Sequence, residues 1–161
     1  MSMLRKVYLA AVLGALVLPA GLAHAEMNLW ISRYFTGLAT YDQGQYQDAQ
    51  GVLQNALKET KSGHRHAETL DQLGQLETAL GHFDDAEKYY KDALAEKEHS
   101  LGKRHRDVAE TLNNLGDLYY LAGKTGQCEP LYRRALEIME RDQLNIEVCR
   151  SLNGMALLQN D

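Results

Sequence analysis

The sequence has few of the residues that dominate disulfide-bonded, collagenous or disordered chains. It contains 2 cysteines and 2 prolines in 161 residues. So little cysteine excludes a disulfide-rich scaffold, and so little proline excludes a collagen-like or proline-rich disordered chain. Hydrophobic residues make up 45% and charged residues 24%, as in an ordinary globular protein. A chain of this length is expected to form one domain.

Long apolar runs are equally scarce, and the one that exists lies at the N-terminus. Val7–Leu18 is uncharged and mostly apolar, but it is too short for a membrane span of roughly 20 residues. It follows Arg5 and Lys6 and precedes the small-residue motif at 23–25. This order predicts a secretory signal peptide at residues 1–25, cleaved before Glu26. An uncleaved N-terminal anchor is the alternative.

The chain has fewer basic than acidic residues, and cleavage of the signal peptide would increase the difference. The whole chain has a net charge of −5, and loss of Arg5 and Lys6 leaves 15 basic against 22 acidic residues, a net charge of −7. An acidic domain lacks the positive surface of a nucleic-acid-binding protein. No later apolar run could span a membrane. We therefore expect an exported protein, periplasmic or secreted, with no nucleic-acid partner and no membrane span after cleavage.

The remaining chain contains an internal repeat. Residues 37–49, 74–86 and 116–128 align without gaps, at offsets of 37 and 42 residues. A period in this range is typical of stacked helix pairs.

Small residues recur in fixed positions of this repeat, and each has a physical role. A glycine within a helix costs about 1 kcal/mol relative to alanine, so it is tolerated where another helix approaches closely. The recurring positions are mid-helix glycine (Gly37, Gly74, Gly116), a small residue expected to face it (Ala49, Ala86, Cys128), a turn glycine (Gly44, Gly81, Gly123) and a bulky cover (Leu53, Tyr90, Tyr132).

The third unit carries a recognisable pattern, Leu112-x2-Leu115-Gly116-x2-Tyr119 followed by Cys128-x3-Tyr132-x2-Ala135. It resembles the tetratricopeptide repeat (TPR), and residues 105–119 resemble the kinesin-light-chain type of that repeat. The resemblance covers residues 29–158. It implies an all-α solenoid of helix-turn-helix units, coiled as a right-handed superhelix, with about three repeats and a C-terminal capping helix. The domain would span 26–161, with repeats at 29–62, 66–100 and 108–142 and a partial repeat at 146–159.

The hydrophobic periodicity predicts helices in the same places. They lie at 27–42, 46–59, 65–80, 83–99, 106–121, 126–142 and 146–159. The first helix departs from the family, because Arg33 and Thr36 occupy usually apolar positions. Its apolar stripe, Trp30, Tyr34, Leu38 and Tyr41, suggests that this helix is rotated. In the last helix we expect Val148, Leu152, Met155 and Ala156 to pack on the third repeat, and Leu157 and Leu158 to remain partly exposed.

No catalytic motif is present, so we predict no enzyme, no catalytic residue and no cofactor. His64-x-His66 could bind a transition metal, but Gly63 and Arg65 around it favour a solvated loop, and we predict no metal site. Cys128 is expected to be a small buried residue. Cys128 and Cys149 begin successive antiparallel helices, so their Cα atoms should be about 15 Å apart, too far for a disulfide.

The resemblance implies a concave groove lined by the first helix of each pair. At the family's groove positions the second and third repeats carry four amides, Gln72, Gln75, Asn113 and Asn114, and amides suit an extended peptide backbone. Asp71 and Asp117 stand where chaperone-binding TPRs carry a basic clamp, which favours a basic or neutral partner over an acidic one. The predicted partner-binding residues are Tyr34, Leu38, Tyr41, Asp71, Gln72, Gln75, Asn113, Asn114, Asp117 and Tyr120.

We therefore expect an exported adaptor that holds a protein or extended peptide in its groove. The alternative is a structural subunit of a larger envelope assembly that self-associates as a homo-oligomer through its C-terminal helix.

Overall fold

The computed structural model describes residues 22–141 and, beyond them, the helical positions 152 and 155. The described part is helical and contains no strand, which confirms the all-α expectation. The helices are α1 (Leu22–Asp42), α2 (Tyr46–Lys58), α3 (His64–Leu80), α4 (Phe83–Leu101), α5 (Arg106–Leu121) and α6 (Cys128–Arg141), with a 3-10 turn at Thr125–Gln127 before α6. Helix α1 begins inside the predicted signal peptide. Residues 1–21 and most of the predicted capping helix lie outside the described residues.

The chain forms two compact units, one ending at Lys61 and the other beginning at Ser62. The first unit contains the pair α1 and α2. Trp30 and Tyr34 are stacked in α1, with ring centroids 4.9 Å apart. Arg33 forms an ion pair with Glu59, which follows α2. The arginine at a usually apolar position thus links the middle of α1 to the C-terminal end of α2 by an ion pair.

The burial pattern of α1 shows that this helix is not rotated, contrary to the sequence prediction. Its buried residues are Trp30, Tyr34 and Gly37. The repeat offsets relate these positions to 67, 71 and 74 in α3 and to 109, 113 and 116 in α5, all of them buried. Arg33 and Thr36 are partly exposed, and Arg33 forms an ion pair with Glu59.

The mid-helix glycines make room for a bulky side chain. A Cβ atom on Gly74 would lie 2.7 Å from Tyr90 Cε1, and one on Gly116 would lie 2.6 Å from Tyr132 Cε1. In the first unit Gly37 receives Leu53 in the same way, at 2.6 Å. The prediction that each glycine faces the alanine-position residue is therefore corrected. The nearest neighbour is the bulky residue one helical turn later.

The second unit contains α3 to α6 and two connected apolar clusters. One cluster joins α4, α5 and α6 around Tyr90, Tyr119 and Tyr132, and the other joins α5 and α6 around Leu112 and Met139. Cys128, a free thiol, is fully buried at the alanine position, as predicted.

The two described positions of the predicted capping helix behave differently. Met155 packs against the cluster around Tyr132, as expected. Leu152 is 47% exposed, so it is not a buried core residue, and its packing on the third repeat stays a prediction. Val148, Cys149, Ala156, Leu157 and Leu158 lie outside the described residues, so their predicted packing, the predicted exposure of the leucines and the absence of a disulfide also stay predictions.

We call the space left by the missing side chain of Gly37, Gly74 or Gly116 a notch, and replacing one of these glycines should show how tightly the helix pair is packed. Gly116→Ala places a methyl group against the buried Tyr132 ring, and we expect a loss of about 1–3 kcal/mol in unfolding free energy because overpacking forces neighbours to move. Gly51→Ala is the matched control, since nothing lies within 4 Å of its Cβ position in α2. The control should gain about 0.5–1 kcal/mol from helix propensity. Urea denaturation followed by circular dichroism measures both, and equal shifts would contradict the notch.

Candidate functional site

The predicted groove residues occupy repeating positions on α1, α3 and α5, and one of these positions faces inward. Tyr34, Asp71 and Asn113 are equivalent by the repeat offsets, and they are 9%, 5% and 1% exposed. For these three residues the predicted role in contacting a partner is corrected, because their side chains are buried within the protein. The spacing of the repeat identified these three residues as equivalent but could not show that their side chains point into the core.

The other predicted residues are half-buried. On α3 they are Gln72 and Gln75. The repeat offset relates these two positions to Asn114 and Asp117 on α5. We call these four residues the amide face. Tyr120, one turn further along α5, is also half-buried, and in the first unit so are Leu38 and Tyr41.

The amide face has a definite hydrogen-bonding chemistry. Each of its three amides can donate and accept hydrogen bonds, as the backbone of an extended peptide also can. Asp117 adds a carboxylate, whose Oδ1 accepts a hydrogen bond of 2.8 Å from the Tyr132 hydroxyl. The ring of that tyrosine fills the notch at Gly116. The packing within the third repeat therefore fixes the orientation of the acidic group on its surface.

Asp71 belongs instead to a buried polar cluster that spans three helices. Its carboxylate forms an ion pair with Lys97 of α4, and both side chains are less than one-tenth exposed. The Lys97 ammonium also donates to Thr111 Oγ1 of α5 at 3.0 Å. The Thr111 hydroxyl lies 2.9 Å from Asp71 Oδ2, to which it donates. We call Asp71, Lys97 and Thr111 the inter-repeat cluster.

Burial dominates the electrostatics of this cluster. Loss of solvent raises the pKa of the Asp71 carboxyl above its ordinary value, and the Lys97 ammonium and the Thr111 hydroxyl oppose that rise. Buried charges are tolerated only when they are paired and hydrogen-bonded. Sequence reasoning missed Lys97, although one signal was available. The repeat offset places Lys97 at the position of Met139, a buried apolar residue.

Breaking the buried pair should cost far more than breaking an exposed one. We expect Lys97→Met to lower the unfolding free energy by about 3–5 kcal/mol, because Asp71 is left as an uncompensated buried acid. Lys91→Met is the control, since Lys91 forms an exposed ion pair with Glu87 one turn earlier on α4. Its loss should cost at most about 1 kcal/mol. Chemical denaturation at neutral pH distinguishes the two, and comparable losses would contradict the buried pair.

A second charged network joins the start of α4 to the end of α5. Glu87 accepts hydrogen bonds from Lys91 at 2.6 Å, Lys124 at 2.9 Å and the Tyr119 hydroxyl at 3.0 Å. These bonds, the one from Lys91 first, lower the pKa of the Glu87 carboxyl from 4.5 to about 2. The ionised form is therefore favoured in the folded state.

The lowered pKa of Glu87 predicts a pH-dependent contribution to stability. A carboxyl whose folded pKa lies below its unfolded pKa stabilises the fold above the unfolded value and loses that effect as pH falls through the folded value. The stability difference between the parent and Glu87→Gln should thus be full above pH 4.5 and decline towards pH 2. Solvent screening limits it to about 1 kcal/mol. Denaturation at a series of pH values measures it, and a constant difference would contradict the assignment.

The predicted histidine pair lies where α3 begins. His64 contacts Glu68 at 3.2 Å and Asp107 at 3.7 Å, while His66 lies on the same first turn. Within the described residues no group of three or more histidine, cysteine, aspartate or glutamate side chains has the arrangement of a metal site. None of the described helices is long and apolar enough to cross a bilayer.

A cavity of about 580 Å³ lies away from the amide face, beside α4, α6 and the loop before α5. Arg134 enters it while donating to Glu98 at 2.6 Å. Its lining mixes both signs of charge: Glu98, Lys103, Arg104, Arg134, Glu137 and Ile138.

Comparison with known proteins identifies the repeat. The family model described as a tetratricopeptide repeat matches residues 34–98 and 67–141, which together cover more than half of the chain. At the level of whole sequences, no curated protein matches.

Solved structures show the same fold at low sequence identity. BtubC (BKLC) from P. vanneervenii is 20% identical with a TM-score of 0.72, and the match covers 97% of this chain but 65% of BtubC. A putative kinesin light chain with TPR-like repeats from Podospora anserina is 16% identical with a TM-score of 0.66, covering 98% of this chain and 77% of that one. PcrH, in complex with the chaperone-binding region of PopB, is 14% identical with a TM-score of 0.66, covering 86% and 99%.

Proposed function

The chain belongs to the tetratricopeptide-repeat family, and we propose that it is an exported, non-enzymatic adaptor that binds an extended segment of another protein on its amide face. The family commonly mediates protein–protein interactions, and this coarser function follows from membership. The amide face, the chemistry of the partner and export are the specific parts of the proposal.

The observation that carries the proposal is the repetition of partly exposed polar side chains on successive first helices. Gln72 and Asn114, and Gln75 and Asp117, occupy matching positions of α3 and α5. A surface that repeats along two neighbouring repeats suits a ligand that also repeats, and an extended backbone presents a donor and an acceptor in each residue. Because the four side chains project from helices, their positions vary less than those of loop residues.

A structural relative supports a protein ligand. The similar structure of PcrH was solved with a region of another protein bound to it. This precedent concerns PcrH, and the low identity transfers the fold alone. It nevertheless supports a protein segment as the class of ligand.

The charge of the face favours a neutral or basic segment. Burial of Asp71 beside Lys97 removes one of the two acids on which the sequence prediction relied. Asp117 remains, and the chain as a whole is acidic, with a net charge of −5. A partner with a positive charge near Asp117 gains attraction, whereas an acidic partner is repelled.

Site-specific photocrosslinking tests the face. We expect a photoreactive amino acid at Gln75 or Asn114 to capture a partner from the exported fraction, because both positions lie on the amide face. Asp92 of α4 and Glu137 of α6 are exposed positions on second helices and serve as controls. Capture at the controls with none at Gln75 and Asn114 would place binding on another surface.

The export part of the proposal rests on the N-terminal pattern and has its own test. Expression of the full chain in a secreting bacterial host should yield a mature protein that begins at Glu26, as measured by intact mass. Ala25→Leu should block processing, because signal peptidase requires a small residue at that position. A full-length mass for the parent in the exported fraction would support the uncleaved anchor instead.

Self-association is the second candidate function. The exposure of Leu152, at 47%, favours it because an exposed leucine can pack against a second copy. Light scattering over a range of concentrations tests it, and a concentration-independent monomer would remove it.

A further inference from the structure

The inter-repeat cluster connects the two first helices that carry the amide face. Asp71 lies on α3 immediately before Gln72, and Thr111 lies on α5 three residues before Asn114. Helices α3 and α5 otherwise make few contacts with each other, whereas each packs extensively against α4. The Thr111 hydroxyl and the Asp71 carboxylate therefore form a direct polar link between the two first helices.

Lys97 of α4 contacts both partners of this link. Its side chain extends from the second half of α4 and is 4% exposed. Its ammonium group is therefore hydrogen-bonded to protein groups instead of to water. The ammonium contacts the Asp71 carboxylate, Thr111 Oγ1 at 3.0 Å and the carbonyl oxygen of Asp107 at 3.4 Å. The three contacts lie on α3 and α5, so one side chain of α4 holds both first helices.

Such a polar cluster is sensitive to the relative position of the helices. Burial of apolar surface has no directional preference, so apolar contacts alone specify a relative helix position less strictly than hydrogen bonds do. A buried ion pair tolerates little displacement, because each lost hydrogen bond leaves a desolvated charge. A single buried polar residue selects one register in coiled coils by the same mechanism.

We propose that Asp71, Lys97 and Thr111 fix the register of α3 against α5, and thereby position Gln72 and Gln75 relative to Asn114 and Asp117. The three are positioning residues that act through the amide face without touching the ligand. The inference rests on the proposed function only in naming the surface that is positioned. The register itself can be measured without any partner.

The test compares the parent with the triple variant Asp71→Leu, Lys97→Met and Thr111→Val. Replacing all three side chains removes the polar cluster without leaving an unpaired buried charge, so the variant is expected to keep its helix content and its cooperative unfolding. Amide proton–nitrogen NMR spectra then report the register. The parent should give one set of cross-peaks for residues 72, 75, 114 and 117. The triple variant should give a second set, populated on the order of 10%, or exchange broadening of the same peaks.

Two further variants keep the result interpretable. Thr111→Val alone preserves the ion pair and removes the hydroxyl that joins α3 to α5, so it should broaden the same peaks even if the triple variant does not fold. The control removes an exposed pair on α6, Glu129 with Arg133, through Glu129→Gln and Arg133→Met. It should leave the four reporter peaks single and sharp.

The proposal is overturned if both the triple variant and Thr111→Val keep single, sharp reporter peaks, with shift changes confined to neighbours of the substitutions. It is also overturned if the triple variant fails to fold and Thr111→Val leaves the reporters unchanged. Failure of the proposed function is a separate result. In that case the parent captures no partner at Gln75 or Asn114, while the spectra still decide the positioning role.

Discussion

The close approach of two helices at a glycine is the constraint from which the rest of the structure follows. In the second and third repeats an aromatic ring occupies the space that a Cβ atom would otherwise fill, within 3 Å of that position. The glycine lowers helix propensity by about 1 kcal/mol, and the contact of the helix with a large buried ring offsets this cost. Because the notch fixes which side of the first helix faces its partner, it also fixes which side remains available for binding.

This geometry determines the amide face. Gly116 and Asp117 are adjacent, and the ring that enters the notch carries the hydroxyl that binds Asp117. The neighbouring positions 71 and 113 turn inward on the same helices. Core packing and surface chemistry are therefore set by consecutive residues, which lie about 100° apart around the axis of the first helix.

The polar residues of the second unit have two distinct roles. The network around Glu87 is partly exposed and joins the edge of α4 to the end of α5, where solvent weakens each ion pair. The inter-repeat cluster is buried, so its charges are strongly coupled and its geometry is restrictive. The network around Glu87 adds modest stability, whereas the inter-repeat cluster specifies how α3 and α5 are placed relative to each other.

By itself the sequence determined the fold, because small and bulky residues recur in the pattern of the tetratricopeptide repeat, at offsets of 37 and 42 residues, and the apolar residues follow a helical period. It also located the six described helices to within a few residues, apart from the start of α1. The tertiary structure alone decided which polar residues are surface and which are core. Asp71 and Gln72 are adjacent and both polar, so their polarity does not show which of them is buried. Their difference arises because Lys97 and Thr111, distant in sequence, converge on Asp71 and compensate its burial.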